Sequence, residues 1–472
     1  MSGYTLADLQ DVDERCRQIA DDELGFDVPE VIYHLVAPEE VYFAAANGLP
    51  ARYSSARWGA QFDDAYGRYQ RGQERIYELI FNTRPVHAYL MEGNSLVAQT
   101  LVIAHCLGHG YVFENNEWLG AVDREIMSRV ISAAERIADY MGAHGRDRVE
   151  DFLDSCHAIA IHQPQAQLIR KAVAPKPEHR SRPFDVLFPE EVSADRERVV
   201  AERAALRSRF PREPEADLLS FIEANARGLE DWQRDVISIV HTEQSYFLPQ
   251  MRTKILNEGW ASYWHSRIVR DLELSDREYV EFAQMHAAVL APSKESLNPY
   301  HVGLKMLEDL ERRWDAPGPE EVARLGRAPG GGRAKLFEVR ELESDVGFLR
   351  NYLTRDLVEA LDLYIYKVEG DKLVVVERDW EKIRDMLVGS MTNFGVPYVL
   401  VEDGDHKKAR ELYLRHAYEG REIDLAYAQR VLRYLHAIWG RPVHLETVLD
   451  DQPTVLSFDG QENTRRAAAG AR

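Results

Sequence analysis

Two histidines stand four residues apart in the segment Val102-Ile-Ala-His-Cys-Leu-Gly-His109, and a carboxylate and a further histidine follow far downstream in Asn257-Glu-Gly-Trp-Ala-Ser-Tyr-Trp-His265. On a helix, residues four apart share a face with Cβ atoms about 5–6 Å apart. His105 and His109 can then hold one divalent ion while a distant helix supplies Glu258. Two imidazoles and one carboxylate are the ligand type of catalytic zinc and of ferrous iron, with a position left for water or substrate. Glu258, Ser262 and His265 fall on one helical face, so His265 enters as a fourth metal ligand or as a partner that orients one. A metal-activated water needs a carboxylate to take its proton. Glu92, just before the histidine helix, and Glu243, in His241-Thr-Glu-Gln-Ser-Tyr-Phe247, are the candidates. Tyr263 and Tyr246 are phenols that could donate to a developing oxyanion. Cys106 points about 100° away from His105 and reads as packing.

Other motifs carry less. His157 and His162 close a helical pattern and read as structural. Gly330-Gly-Gly332 lacks the preceding strand and following Lys-Ser/Thr of a phosphate loop. There is no serine nucleophile elbow, CxxC pair or dinucleotide-binding glycine fingerprint.

These groups must be held by a large scaffold. The chain has 472 residues, 45% apolar and 29% charged, which is ordinary globular composition with room for two or three domains. A net charge of −21 argues against a general nucleic-acid surface. No stretch reads as the roughly 20 continuous apolar residues of a membrane span, and the first residues lack signal-peptide character. Three scattered cysteines suit a reducing compartment, and the expectation is a cytoplasmic protein.

The pattern predicts a mainly α fold with a smaller C-terminal α+β domain. Helices are expected over 6–24, 38–48, 65–81, from an Asn94 N-cap through Ser95 to Gly108, and twice between 123 and 163. A Pro-rich basic loop is expected over 171–189. Further helices are expected over 194–206, 215–226, 230–246, 251–269, 276–290 and 299–313. Strands are expected at 372–377, 397–402 and 411–416, the last two as a hairpin, with helices at 380–394 and 425–440. The domain boundaries read as a helical domain 1–316 with the metal site, a Gly/Pro linker 317–334, a small α+β domain 335–455 and a frayed tail 456–472.

The chain resembles the stage V sporulation protein R (SpoVR) family over nearly its whole length. The resemblance is carried by Met91-Glu-Gly-Asn, Val102 to His109, Leu229-Glu-Asp-Trp-Gln-Arg-Asp235, Tyr246-Phe-Leu-Pro-Gln250, Asn257 to His265 and Asn298-Pro-Tyr300. In the last domain it is carried by Phe348-Leu-Arg-Asn-Tyr-Leu353, Thr392-Asn-Phe-Gly395, Val401-Glu-Asp-Gly404 and Trp439-Gly-Arg-Pro-Val-His-Leu-Glu446. His241 and His301 stand where the family carries other residue types. The resemblance implies a link to late sporulation and spore-cortex assembly. More locally, Glu258-Gly-Trp-Ala-Ser-Tyr263 resembles the third-ligand helix of α-helical gluzincin metallopeptidases, where it follows an HExxH helix. Cys106 stands where that motif has its general-base Glu, whose loss costs on the order of 10²–10⁴ in rate.

Two function classes follow. One is a metal-dependent hydrolase, zinc being the expected metal and iron the alternative, acting on an amide bond of a peptide or peptidoglycan-type substrate. The other is a non-catalytic regulatory or assembly protein that binds protein partners in sporulation or stress. An iron-dependent oxygenase is a third, since the same ligands suit ferrous iron.

Overall fold

A computed structural model describes residues 3–22, 25, 28–73, 75–76, 78–163, 209–293, 296–370 and 372–468. The loop expected at 171–189 and the helix expected at 194–206 lie outside them. The described residues are mainly helical, with a C-terminal α+β region, as the sequence predicts. The chain divides into two units, Met1–Ala138 with Ser245–Gly395, and Asp139–Gln244 with Val396–Arg472.

At the centre of the first unit is the histidine helix, Leu96–Asn115. Its N-cap is Ser95, whose hydroxyl accepts from the Ala98 N–H at 3.1 Å, one residue later than the sequence suggests. Asn94 instead receives a hydrogen bond from Arg75. Every residue from Val97 to Phe113 is buried. By length and composition this helix could cross a membrane, which corrects the expectation that no stretch qualifies; 94% of its most apolar window is packed inside the unit. An all-round apolar helix is what a core centre requires.

Two more helices complete the site's frame, Lys254–Asp271 and Pro299–Asp315. Small residues let the three backbones meet. A Cβ on Gly108 would lie 2.8 Å from Ala261 Cα, and a Cβ on Gly259 or Gly303 would overlap the facing helix backbone. Asp345 anchors the start of the Lys254–Asp271 helix, its two carboxylate oxygens each accepting at 2.9 Å from the Ile255 and Leu256 N–H groups. Those amides are among the donors a helix leaves without internal partners.

Against this frame lies a three-stranded sheet that the sequence pattern does not predict, β1 (Val31–Val36), β2 (Glu78–Phe81) and β3 (Val86–Met91), in the order β1-β3-β2. The helix expected over 65–81 is corrected here. The helix is Ala56–Gln70, and Gly72, with φ 68°, follows its end. Residues 78–81 then pair antiparallel with β3, Glu78 opposite Leu90. A β-hairpin, β4 (Ile365–Glu369) and β5 (Lys372–Glu377), also belongs to this unit, as does the short helix Pro319–Leu325 in the Gly/Pro stretch.

The second unit is built on a five-stranded sheet ordered β10-β9-β8-β7-β6. Its strands are β6 (Val399–His406), β7 (Glu411–His416), β8 (Val443–Leu449), β9 (Gln452–Phe458) and β10 (Asn463–Ala467). The β6–β7 hairpin is the expected one, and among the described residues of this sheet only the β7–β8 pair is parallel. Helix Leu425–Trp439 makes the β7-to-β8 crossover and packs on β8 and β9, as parallel neighbours require.

Candidate metal centre

His105 and His109 project from one face of the histidine helix, their rings edge to face with centroids 4.5 Å apart. Glu258 reaches them from the Lys254–Asp271 helix. Its Oε2 lies 3.5 Å from His105 Nε2 and 3.3 Å from His109 Nε2. The close Gly108–Ala261 contact, next to His109 and three residues after Glu258, makes that approach geometrically available. A fourth group comes from β2, where Glu78 Oε1 stands 3.5 Å from His105 Nε2. Ligand-capable atoms of Glu78, His105, His109 and Glu258 all lie within 4.8 Å of one another.

These separations fit a bound cation. Bonds of about 2.0–2.1 Å in tetrahedral array space their ligand atoms by roughly 3.3–3.4 Å. Hydrogen bonds would be shorter, and His105 Nε2 and Glu258 Oε2 are buried without a hydrogen-bond partner. An orphaned pair of this kind costs stability unless something satisfies it.

The surroundings set the charge state of each group. Burial pushes the Glu258 carboxyl up, but His105 and His109 outweigh it and hold the group well below the usual carboxylate range. Burial lowers His109, and Glu258 with Asn257 reverse this, leaving it raised. Tyr300, on the Pro299–Asp315 helix, stacks on His105 at 5.9 Å, with its hydroxyl 3.5 Å from Glu78 Oε1. Burial, then the charges of Glu258 and Glu78, push its phenol far up, so it stays a neutral donor. Behind the pair, His105 Nδ1 is 2.8 Å from His265 Nδ1, and His265 Nε2 is 2.8 Å from His286 Nδ1. Burial lowers both His265 and His286, which keeps them neutral. A proton on His105 Nδ1 donated along this chain leaves Nε2 with its lone pair toward Glu258, the orientation that outer partners give a ligating histidine.

Comparison with known proteins identifies the lineage. The model of the family described as "SpoVR like protein" matches residues 3–396, and that of the "SpoVR-like C-terminal domain" matches residues 397–450. The chain belongs to the SpoVR family. A curated relative, "Uncharacterized protein YcgB" of Escherichia coli (strain K12), is 30% identical over 441 residues, covering 86% of this chain and 84% of the relative. No solved structure matches.

In this SpoVR-family chain the sequence-selected residues fall in different places. His105, His109 and Glu258 meet, while His265 touches His105 from its far ring nitrogen and is not among the four clustered groups. Glu92 is exposed just past β3, its N–H on the Val36 carbonyl, and is not in the cluster. Glu243 is buried in the second unit. Tyr263 is buried under the Arg267 guanidinium, 3.4 Å from its ring centroid, and burial raises its phenol strongly. At five residues from Glu258 it faces about 140° away. Tyr246 packs in a separate apolar cluster with Leu49 and Ile126. Cys106 is fully buried, and burial pushes its thiol well up, which makes it an inert packing group. Sequence reasoning missed Glu78 and Tyr300. Tyr300 sits within one of the family blocks, while Glu78 carries no signal because its segment reads as helix.

Proposed function

We propose that this SpoVR-family protein is a divalent-metal hydrolase of an amide bond, with His105, His109 and Glu258 as ligands and Glu78 as the general base. The observation that carries the reading is the convergence of Glu78 on the same point as the three ligands. The histidine helix offers Cys106 where a helical carboxylate would act, and Glu78 brings one from a strand. A bound zinc or ferrous ion would supply Lewis acidity and a water of lowered pKa. Glu78 would accept that proton, and the neutral Tyr300 hydroxyl would donate to a developing oxyanion. A peptide or peptidoglycan-type substrate is favoured by the sporulation association in the family's name and by the likeness of Glu258-Gly-Trp-Ala to a metallopeptidase segment. Cytoplasmic action on such a precursor is part of the same reading.

A second reading has one observation in its favour: Glu78 Oε1 is as close to His105 Nε2 as Glu258 Oε2 is. With Glu78 as a fourth ligand the site is closed and structural, as a regulatory or assembly protein would use it. Glu78→Gln separates the two. As base, its loss should leave metal content unchanged and reduce hydrolysis of muropeptides or a quenched peptide library by about 10²–10⁴-fold. Loss of metal from Glu78→Gln, or no turnover of either substrate set by fully loaded wild type, would remove the hydrolase reading.

A further inference from the structure

Outside the first centre, the five-stranded sheet holds a second group of ligating side chains. We propose that His406, Glu411 and His444 form a second divalent-metal site, of the two-imidazole, one-carboxylate type suited to zinc or a related first-row ion. It does not depend on the function proposed above.

Three neighbouring strands supply the three groups. His406 ends β6 and pairs across the hairpin with Glu411, the first residue of β7, and Tyr413 pairs with His444 on β8. The turn between them is tight, with Lys407, Lys408 and Arg410 all at φ between 55° and 59°. Ligand-capable atoms of the three residues lie within 4.8 Å of one another.

Each group is prepared for a cation. His406 Nε2 is buried and has no hydrogen-bond partner, which costs stability in a ring otherwise fixed by Tyr413 at 4.5 Å between centroids. His444 is held from behind, its Nδ1 2.7 Å from Ser457 Oγ, and this hydrogen bond sets the orientation of the opposite nitrogen. That Nε2 lies 2.9 Å from Glu411 Oε2. The same oxygen also accepts from Lys407 Nζ at 2.9 Å. Lys407 is a competing cation, but its side chain is 49% exposed, and an exposed pair of this kind holds weakly. Displacing the ammonium would leave the carboxylate to the ion.

The test is zinc stoichiometry of the full chain, stripped by chelator, dialysed against zinc and analysed by mass spectrometry of the metal. Wild type should hold two equivalents. His406→Asn and Glu411→Gln should each hold one, His109→Ala should hold the other, and Lys407→Ala should bind its second equivalent more tightly. If His406→Asn and Glu411→Gln keep the wild-type stoichiometry and affinity, the proposal is overturned. If the first centre alone is wrong, wild type holds one equivalent that His109→Ala keeps and His406→Asn loses. Should the sheet variants fail to fold by circular dichroism, cobalt(II) added to His109→Ala decides. Ligand-field absorption of a tetrahedral nitrogen and oxygen site supports the proposal, and its absence overturns it.

Discussion

The helical centre and the sheet cluster use the same residue types, two histidines and a glutamate, yet they are built by different means. In the helical centre the groups are set by rigid helices in backbone contact through Gly108, Gly259 and Gly303, the two imidazoles are buried, and among the described residues no Lys or Arg forms an ion pair with Glu78 or Glu258. In the sheet cluster, cross-strand register sets the groups and an exposed lysine already sits on the carboxylate. The difference teaches that ligand identity is not enough to judge a site. What counts is whether the scaffold leaves polar atoms of the ligating residues unsatisfied, and it does so for His105 Nε2, His109 Nδ1 and Glu258 Oε2 in the first case and for His406 Nε2 in the second.

The largest effect expected from breaking the comparison is on the helical side. Gly259→Val puts side-chain atoms into the backbone of the Pro299–Asp315 helix, where nothing flexible can yield. Overpacking of a core costs about 1–3 kcal/mol, and a backbone overlap should exceed that. Thermal unfolding should show a large drop or no folded protein. A near-native melting temperature would contradict the helix-contact account, and a lysine-side change such as Lys407→Ala should leave stability within about 0.5 kcal/mol.

Next in size is the anchor of the Glu258 helix. Burial pushes the Asp345 carboxyl up to about 7 from an ordinary 3.8, against the lowering effect of the backbone N–H groups of Ile255, Leu256 and Lys254. The folded chain therefore holds a proton that the unfolded chain releases between those values. The stability this contributes is complete below about 3.8 and is lost as pH rises through about 7. The total is on the order of a few kcal/mol. Urea midpoints of wild type relative to Asp345→Asn should fall between pH 4.5 and 8. A pH-independent difference would show that Asp345 does not hold that proton.

A smaller and sharper effect concerns His265. Removing an outer partner of a ligating histidine costs about 10–100-fold in metal affinity. His265→Ala should weaken zinc at the helical centre by that factor while leaving the sheet cluster unchanged. Complete loss of zinc from the helical centre would instead mark His265 as a ligand, contrary to its contact with the far ring nitrogen of His105.

The same contrast explains what could be read from the sequence. His105, His109 and Glu258 were legible because helical spacing is local, and four residues along the chain fix a shared face. The long helices from 218 to 315 were legible for the same reason. The N-terminal sheet was not. Its strands are four to six residues long, and β2 sits in a stretch rich in helix-forming residues, so Glu78 was hidden with it. Ser95 displaced Asn94 as the cap because its hydroxyl reaches the Ala98 N–H. The sheet cluster was illegible in principle, since Glu411 and His444 are brought together by strand register and a helical crossover that no local period encodes.

The central claim is that one ion sits among His105, His109 and Glu258. Anomalous diffraction from crystals of zinc-loaded protein tests it directly. The account predicts a peak about 2.0–2.2 Å from both Nε2 atoms and a Glu258 oxygen. Loaded crystals with no anomalous peak between those three side chains would contradict it.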